Sequence, residues 1–228
     1  SCKWLFDPVT RGESFVDPAT NQTRMPGWTY YATQNGSKIY QNDYFIPMCY
    51  SYDSYITRSE YNSLSEEDRS LALLKSMVVE DADEKIAAQT MHHNTAISSG
   101  PFTREAYFND CLERAATACK TFTADNKGFS ATAESTAKRL IFFSVPWEGG
   151  WSATVNGQPA QIVKVNVGFM AVEVPAGTAE IRFDYRTPGF TAGAAVTAVG
   201  FAGLGVYVWV SRRHSARTPE TKPAASDR

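Results

Sequence analysis

Twenty-one consecutive residues, Phe190 to Val210, carry no charged side chain. As an α-helix this run is about 31 Å long at 1.5 Å per residue, close to the roughly 30 Å of a bilayer's hydrocarbon core. Tyr207 and Trp209 stand at its far end, where amphipathic rings favour the headgroup zone, and Ser211-Arg212-Arg213-His214 follows at once. Basic residues against one end of a span place that end in the cytoplasm, so the residues before the span are expected outside. A buried helix of a soluble protein is the alternative; the length and the abrupt Arg-Arg boundary favour the membrane. The run is rich in small residues. Gly189, Gly193, Gly200 and Gly203, with several alanines, would let other helices approach closely in lipid. The expected partners are therefore the lipid bilayer and other transmembrane helices.

Charge separates the chain into unlike parts. The tail after Val210 holds five basic residues (Arg212, Arg213, Arg217, Lys222, Arg228) against Glu220 and Asp227, a net of +3. The whole chain carries −2, so residues 1–189 carry −5. An acidic body offers no basic surface to displace counterions from phosphates, and no nucleic-acid partner is expected. Cys2, Cys49, Cys111 and Cys119 contain no C-x-x-C spacing, which argues against a zinc knuckle or a thioredoxin-like centre. Cys111 and Cys119 on one continuous helix would lie about 12 Å apart, too far to bridge. A disulfide between them requires the helix to end in between, and free, partly buried thiols are the favoured expectation. Ser1-Cys2-Lys3-Trp4-Leu5-Phe6 has neither the basic nor the apolar region of a signal peptide. An outside domain without an export signal is expected to be a segment of a longer polypeptide.

Residues 1–56 read as loops and short strands. Asn35-Gly36 between Thr29–Thr33 and Ser37–Tyr40 signals a hairpin. Pro8, Pro18, Pro26, Gly12 and Gly27 mark residues 7–27 as loop. Residues 57–79 read as helical. Thr57-Arg58-Ser59-Glu60 and Ser65-Glu66-Glu67-Asp68 have the capping-box form, and Leu71, Leu74, Met77 and Val78 then share one face. A second helix is expected over Thr103–Thr117, just after Pro101, with Ala106, Cys111, Leu112 and Ala115 on its apolar side. The polar residues 80–100 between the two read as loop. From Lys120 the pattern is β: an apolar run Leu140–Val145, alternation over Trp151–Val155 and Ile181–Tyr185, and turns at Asn156-Gly157 and Asn166-Val167-Gly168. The expected fold is α+β. A mixed helical and strand part spans 1–118, and an antiparallel, jelly-roll-like β-sandwich spans 119–187. One C-terminal transmembrane helix spans 188–210, with a basic cytoplasmic tail over 211–228.

Two stretches carry a family likeness. Residues 39–83 combine a strand, the step Pro47-Met48-Cys49-Tyr50-Ser51-Tyr52-Asp53, and a helix ending in acidic residues. Residues 142–190 combine Pro146-Trp147-Glu148-Gly149-Gly150-Trp151, an Asn-Gly turn, Gly168-Phe169-Met170, Pro175-Ala176-Gly177 and a Tyr185-to-Phe190 exit through Pro188-Gly189. In this order they resemble the C-terminal part of the bacterial YfhO family, polytopic membrane proteins of the C-type glycosyltransferase superfamily. The resemblance implies a parent protein that moves a sugar from a polyprenyl-phosphate carrier to an outside acceptor such as a cell-wall glycan. In that superfamily the catalytic carboxylate belongs to the first outside loop, near the parent's N-terminus. The resemblance therefore places no catalytic residue here, and this piece alone is expected to be inactive.

Candidate ligand contacts follow from residue chemistry. Trp147 and Trp151 bracket Glu148-Gly149-Gly150, and a flat ring face matches the C–H face of a sugar. The bland alternative is a strand-entry turn sealing the end of the sandwich. Tyr50, Tyr52 and Asp53, with Tyr55, form a second aromatic–acid cluster. Asp81-Ala82-Asp83 is a lone D-x-D within an acidic run and reads as solvated linker. Adjacent histidines, His92 and His93, point apart and have no further ligand at suitable spacing. No metal, cofactor, nucleophilic triad or phosphate loop is expected. A tethered carbohydrate-binding or structural module of the cell envelope is the rival to the transferase reading.

Overall fold

The computed structural model describes residues 2–8, 14–97 and 103–215. Gly12, Pro101 and the tail residues Arg217, Glu220, Lys222, Asp227 and Arg228 lie outside them. The chain divides into two compact units, Ser1–Tyr185 and Arg186–Arg228.

The first unit begins with β1 (Trp4–Pro8), β2 (Trp28–Gln34) and β3 (Ser37–Asn42), which form a three-stranded antiparallel sheet in the order β1-β3-β2. The expected hairpin is the β2–β3 pair. Asn35 and Gly36 both take positive φ, 50° and 73°, as a two-residue primed turn requires.

There follow β4 (Cys49–Ser51), β5 (Ser54–Thr57), α1 (Arg58–Ser63), α2 (Glu66–Lys75) and β6 (Met77–Val79). Thr57 caps α1 in a full capping box. Its hydroxyl accepts from the Glu60 amide at 3.3 Å, while the Glu60 carboxylate accepts from the Thr57 amide at 2.8 Å. Ser65 caps α2 through the Asp68 amide. The helical face expected to run through Leu71, Leu74, Met77 and Val78 is corrected here. The helix ends at Ser76, whose backbone is extended (φ −136°, ψ 145°), and Met77, Val78 and Val79 form a strand buried on all three positions. A short, continuous apolar run of this kind fits a buried strand as well as a helix end, and periodicity alone does not separate them.

Residues 80–97 hold more than a loop; 98–100 lie outside the described residues. A 3₁₀ turn at Asp81–Asp83 leads into α3 (Glu84–Ala87), and β7 (His92–His93) pairs parallel to β5. Ala87, Met91 and Ile97 are buried, three isolated apolar anchors too sparse to show a period. α4 (Arg104–Ala116) is capped by Thr103. Its buried residues are Cys111 and Arg114, whereas Leu112, expected inside, is exposed.

The remaining strands are β8 (Thr121–Ala124), β9 (Gly128–Ser135), β10 (Arg139–Pro146), β11 (Trp151–Val155), β12 (Gln158–Ala160), β13 (Ile162–Val165), β14 (Phe169–Val174) and β15 (Gly177–Tyr185). They complete a five-stranded sheet, β12-β11-β15-β9-β8, and a seven-stranded sheet, β4-β10-β14-β13-β6-β5-β7. The fold is α+β with mostly antiparallel sheets, as expected; β5 pairs parallel with β6 and β7. The seven-stranded sheet takes strands from both sides of residues 118/119.

The period of two explains the layers. On β10, Ile141 and Phe143 face one core, where they meet Phe129, Ala131, Ala153, Ile181 and Phe183 of the five-stranded sheet. Leu140 and Phe142 face another, with Tyr52, Tyr55, Met77, Val79 and Val163. A strand covered on both faces must be apolar at every position, and Leu140–Phe143 is so.

The second unit holds α5 (Phe190–Ser215). Gly189, at φ 79°, precedes it, and Phe190–Arg213 is long and apolar enough to cross a membrane. The helix runs past Val210, and the Arg213 guanidinium lies 3.7 Å from the Trp209 ring centre.

Candidate functional site

The two tryptophans of the sequence reading meet at one cavity. β10 ends at Pro146 and β11 starts at Trp151, so Trp147 opens the four-residue turn between them and Trp151 follows it. The Trp147 amide donates to Gly168 O at 2.8 Å and the Trp151 amide to Glu148 O at 3.3 Å, which fixes the turn against the β13–β14 connection. Trp147 is 44% exposed, with the Lys164 ammonium 5.6 Å from its ring centre. Trp151 is half-buried and packs on Phe129 at 5.4 Å and Tyr185 at 5.0 Å between ring centres. Trp147, Trp151, Glu148, Ser152, Pro159 and Ile162 help line a cavity of about 380 Å³. The Tyr185 hydroxyl donates to Glu148 Oε2 at 2.6 Å, and this bond to an acidic acceptor raises the Tyr185 pKa. The turn thus places two indole rings, that of Trp147 exposed, and a carboxylate beside one small concavity. That combination suits a ligand with one apolar face and a rim of hydroxyls.

The connection facing Trp147 is strained. Asn166 and Val167 take φ of 46° and 74°, and a β-branched residue in that region is a true outlier. Asn166 has a reason to be there. Its buried side chain accepts from the Val78 amide at 2.8 Å and donates to the Tyr52 hydroxyl at 2.9 Å. Val167 is exposed, and its hydrocarbon side chain can form no such bonds.

Tyr50, Tyr52 and Asp53 are also brought together, with Tyr52 buried in the wall of the protein, Tyr50 partly buried and Asp53 exposed. Tyr52 is 1% exposed. Its hydroxyl donates to Leu73 O at 2.7 Å and lies 3.3 Å from that of Tyr50. Burial pushes the Tyr52 hydroxyl well above its ordinary value, and that of half-buried Tyr50 up as well. The Arg114 guanidinium sits 4.9 Å from the Tyr52 ring centre and donates to Ser51 O at 2.9 Å. Asp53 pairs with Arg139 at 2.6 Å and with Arg114 at 3.7 Å. This arrangement ties α4 to the seven-stranded sheet and leaves no face of Tyr52 open to solvent. Sequence reasoning missed Arg114 and Asn166, because a buried arginine on an amphipathic helix and a turn asparagine look like surface residues until their partners are known.

The remaining motifs take local roles. Asp81 accepts from the Ser59 amide at 3.2 Å and hydroxyl at 2.8 Å, which lowers its pKa. His93 Nε2 lies 2.8 Å from Glu60 Oε1 and its ring stacks on Tyr55, while His92 is exposed. Gly193, Gly200 and Gly203 lie along α5, and at each an added Cβ would meet open space. Their spacings of seven and three residues put them on one side of the helix, while Gly189 precedes it.

Residues 103–197 match the family model of the bacterial membrane protein YfhO. The matched span runs from the cap of α4 into α5, contains the Trp147–Trp151 turn, and bears out the second of the two resembling stretches; residues 39–83 lie outside it. No curated protein and no solved structure matches the chain.

Proposed function

With residues 103–197 taken as YfhO sequence, we propose that Ser1–Tyr185 is an extracytoplasmic domain and α5 the last membrane helix of a polytopic, glycosyltransferase-like protein of the cell envelope. Its donor would be a polyprenyl-phosphate-linked sugar and its acceptor a cell-wall glycan. The observation that carries the reading is α5, a membrane-length helix whose apolar run ends on Arg212 and Arg213 and which lies partly within the family match. Its glycine side would pack on other membrane helices. This piece holds no catalytic group in the reading. It forms a roof and an acceptor guide beside a membrane-embedded reaction centre elsewhere in the parent.

Reporter fusions test the orientation. Alkaline phosphatase joined after residue 187 is expected to be active, and a fluorescent protein joined after residue 215 is expected to fluoresce. The reverse pair of results overturns the reading. Depletion of the parent gene tests the chemistry: the lipid-linked sugar is expected to accumulate while the glycan loses that sugar. Unchanged levels of both would remove the transferase assignment and leave the tethered module.

The Trp147–Trp151 cavity favours a second reading, in which this domain binds cell-wall carbohydrate whether or not its parent is an enzyme. Titration of the detergent-solubilised chain with cell-wall glycan fragments should change tryptophan fluorescence, and Trp147→Ala should abolish the change. A flat titration in the unaltered chain argues against sugar contact.

A further inference from the structure

Cys49 and Cys119 are opposite each other at the open side of the sandwich. Cys49 is the first residue of β4, an edge strand of the seven-stranded sheet; Cys119 lies two residues before β8, an edge strand of the five-stranded sheet. Residues 117–119 run antiparallel to β4. The Cys119 amide donates to Cys49 O at 3.0 Å, and the Thr117 hydroxyl accepts from the Ser51 amide at 3.2 Å. Directly opposed residues in such a pairing have Cα atoms about 4.5–5.5 Å apart, within the roughly 4.4–6.8 Å that a disulfide spans. Cys49 is buried in the core between the two sheets, Cys119 packs against that core, and both are free thiols. The other two cysteines have different surroundings. Cys111 is buried inside α4, and exposed Cys2 bonds to Trp4 O. α4 does end between Cys111 and Cys119, but Cys119 turns to Cys49.

We propose that Cys49 and Cys119 form a disulfide that staples the edge strands of the two sheets. The proposal rests on the extracytoplasmic reading for its oxidising surroundings. The oxidant is a small-molecule or protein disulfide. Cys119 is the more accessible partner and reacts first: it loses its proton, and its thiolate attacks one sulfur of the oxidant and expels a thiolate. Cys49 then loses its proton and attacks the Cys119 sulfur, which expels the second thiolate. Two electrons pass to the oxidant, which leaves as two thiols. Contact with Cys49 and burial push the Cys119 thiol up, so closure is slow near neutral pH and accelerates as pH rises.

The test uses the whole chain, purified under reducing conditions in detergent and then incubated with oxidised glutathione at pH 8. After alkylation, non-reducing digestion is expected to give one peptide pair joining Cys49 to Cys119, with Cys2 and Cys111 alkylated or glutathionylated. The C2A/C111A double variant keeps the proposed pair and should give the same cross-link. A stable glutathione adduct on Cys119 that never resolves onto Cys49, or a link through Cys2 or Cys111, overturns the proposal. The same trapping applied to intact cells separates it from the orientation. A link that closes in detergent yet is absent in cells overturns the outside placement, and failure in detergent overturns the staple.

Discussion

Val167 holds its left-handed backbone with an exposed, β-branched side chain that can make no hydrogen bond to offset the strain there. Asparagine tolerates this region far better. Val167→Asn is expected to raise the unfolding free energy by about 0.5–1 kcal/mol, read as a higher urea midpoint with an unchanged slope. Arg114 poses the opposite problem. It is 3% exposed, and its Nε has no hydrogen-bond partner among the described residues. Arg114→Ala deletes the donor to Ser51 O, uncovers the Tyr52 ring and opens a cavity, at an expected cost of about 3–5 kcal/mol. Arg114→Met fills similar space with no charge to desolvate and should cost clearly less. Equal losses in the two variants would mean that the guanidinium's bonds outweigh its packing. Trp147→Ala, which removes an exposed ring, should leave the urea midpoint within about 0.5 kcal/mol of its original stability. That makes it the cleaner probe of ligand contact than half-buried Trp151.

Among the elements, α1 shows how a local signal survives folding. Thr57→Ala removes the hydroxyl that accepts from Glu60 N and should cost about 1 kcal/mol. Glu60 adds a pH dependence. Burial opposes its charge, but the Thr57 amide and then His93 hold its carboxyl below the ordinary value. A depressed folded pKa gives stability that is present above the ordinary carboxylate value of about 4.3 and is lost as pH falls through the folded value. Glu60→Gln keeps a capping-box acceptor and removes the titration, so its urea midpoint should fall less steeply with acid than that of the unaltered chain. A parallel decline would assign the acid sensitivity to other groups. The caps, the Asn-Gly turns and the alternating strands were legible because each is written within a few neighbouring residues. Where the apolar run became continuous, as at Met77–Val79, or where burial rested on isolated residues such as Ala87 and Ile97, local pattern carried no period to read. The Trp147–Trp151 cavity was legible for the same local reason, since one turn holds both rings. The Arg114–Tyr52–Asn166 network was not, because it joins residues more than fifty positions apart, one in α4 and two in separate strand connections.

The seven-stranded sheet makes the molecule's first unit depend on strands from both halves of its sequence. β10 pairs with β4 through Ile141–Ser51, Phe142–Tyr50 and Phe143–Cys49, and β13 meets β6 at Val165–Val79. Within the stretch 119–187, β10, β13 and β14 would keep one another but lose the residues that cover Leu140 and Phe142, since Tyr52, Tyr55, Met77 and Val79 all come from earlier in the chain. An apolar sheet face and two unpaired strand edges would then meet water, a state prone to edge-to-edge association. Expressed alone, residues 119–187 should aggregate or unfold without a cooperative transition, while co-expression with residues 1–118 should restore a soluble, protease-resistant pair. The burial supports this outcome: Phe142, Leu140, Val163 and Val165 are each 3% exposed or less in the whole unit, and all four lie on the face that the earlier strands cover. Uncovering them exposes several side chains worth about 1.5–3 kcal/mol each when fully buried, comparable in total with the 5–15 kcal/mol that holds an ordinary domain folded. A sharp urea transition for the isolated stretch would show instead that the five-stranded sheet and its core with β10 and β14 suffice, and that residues 1–118 are an addition to a self-standing sandwich.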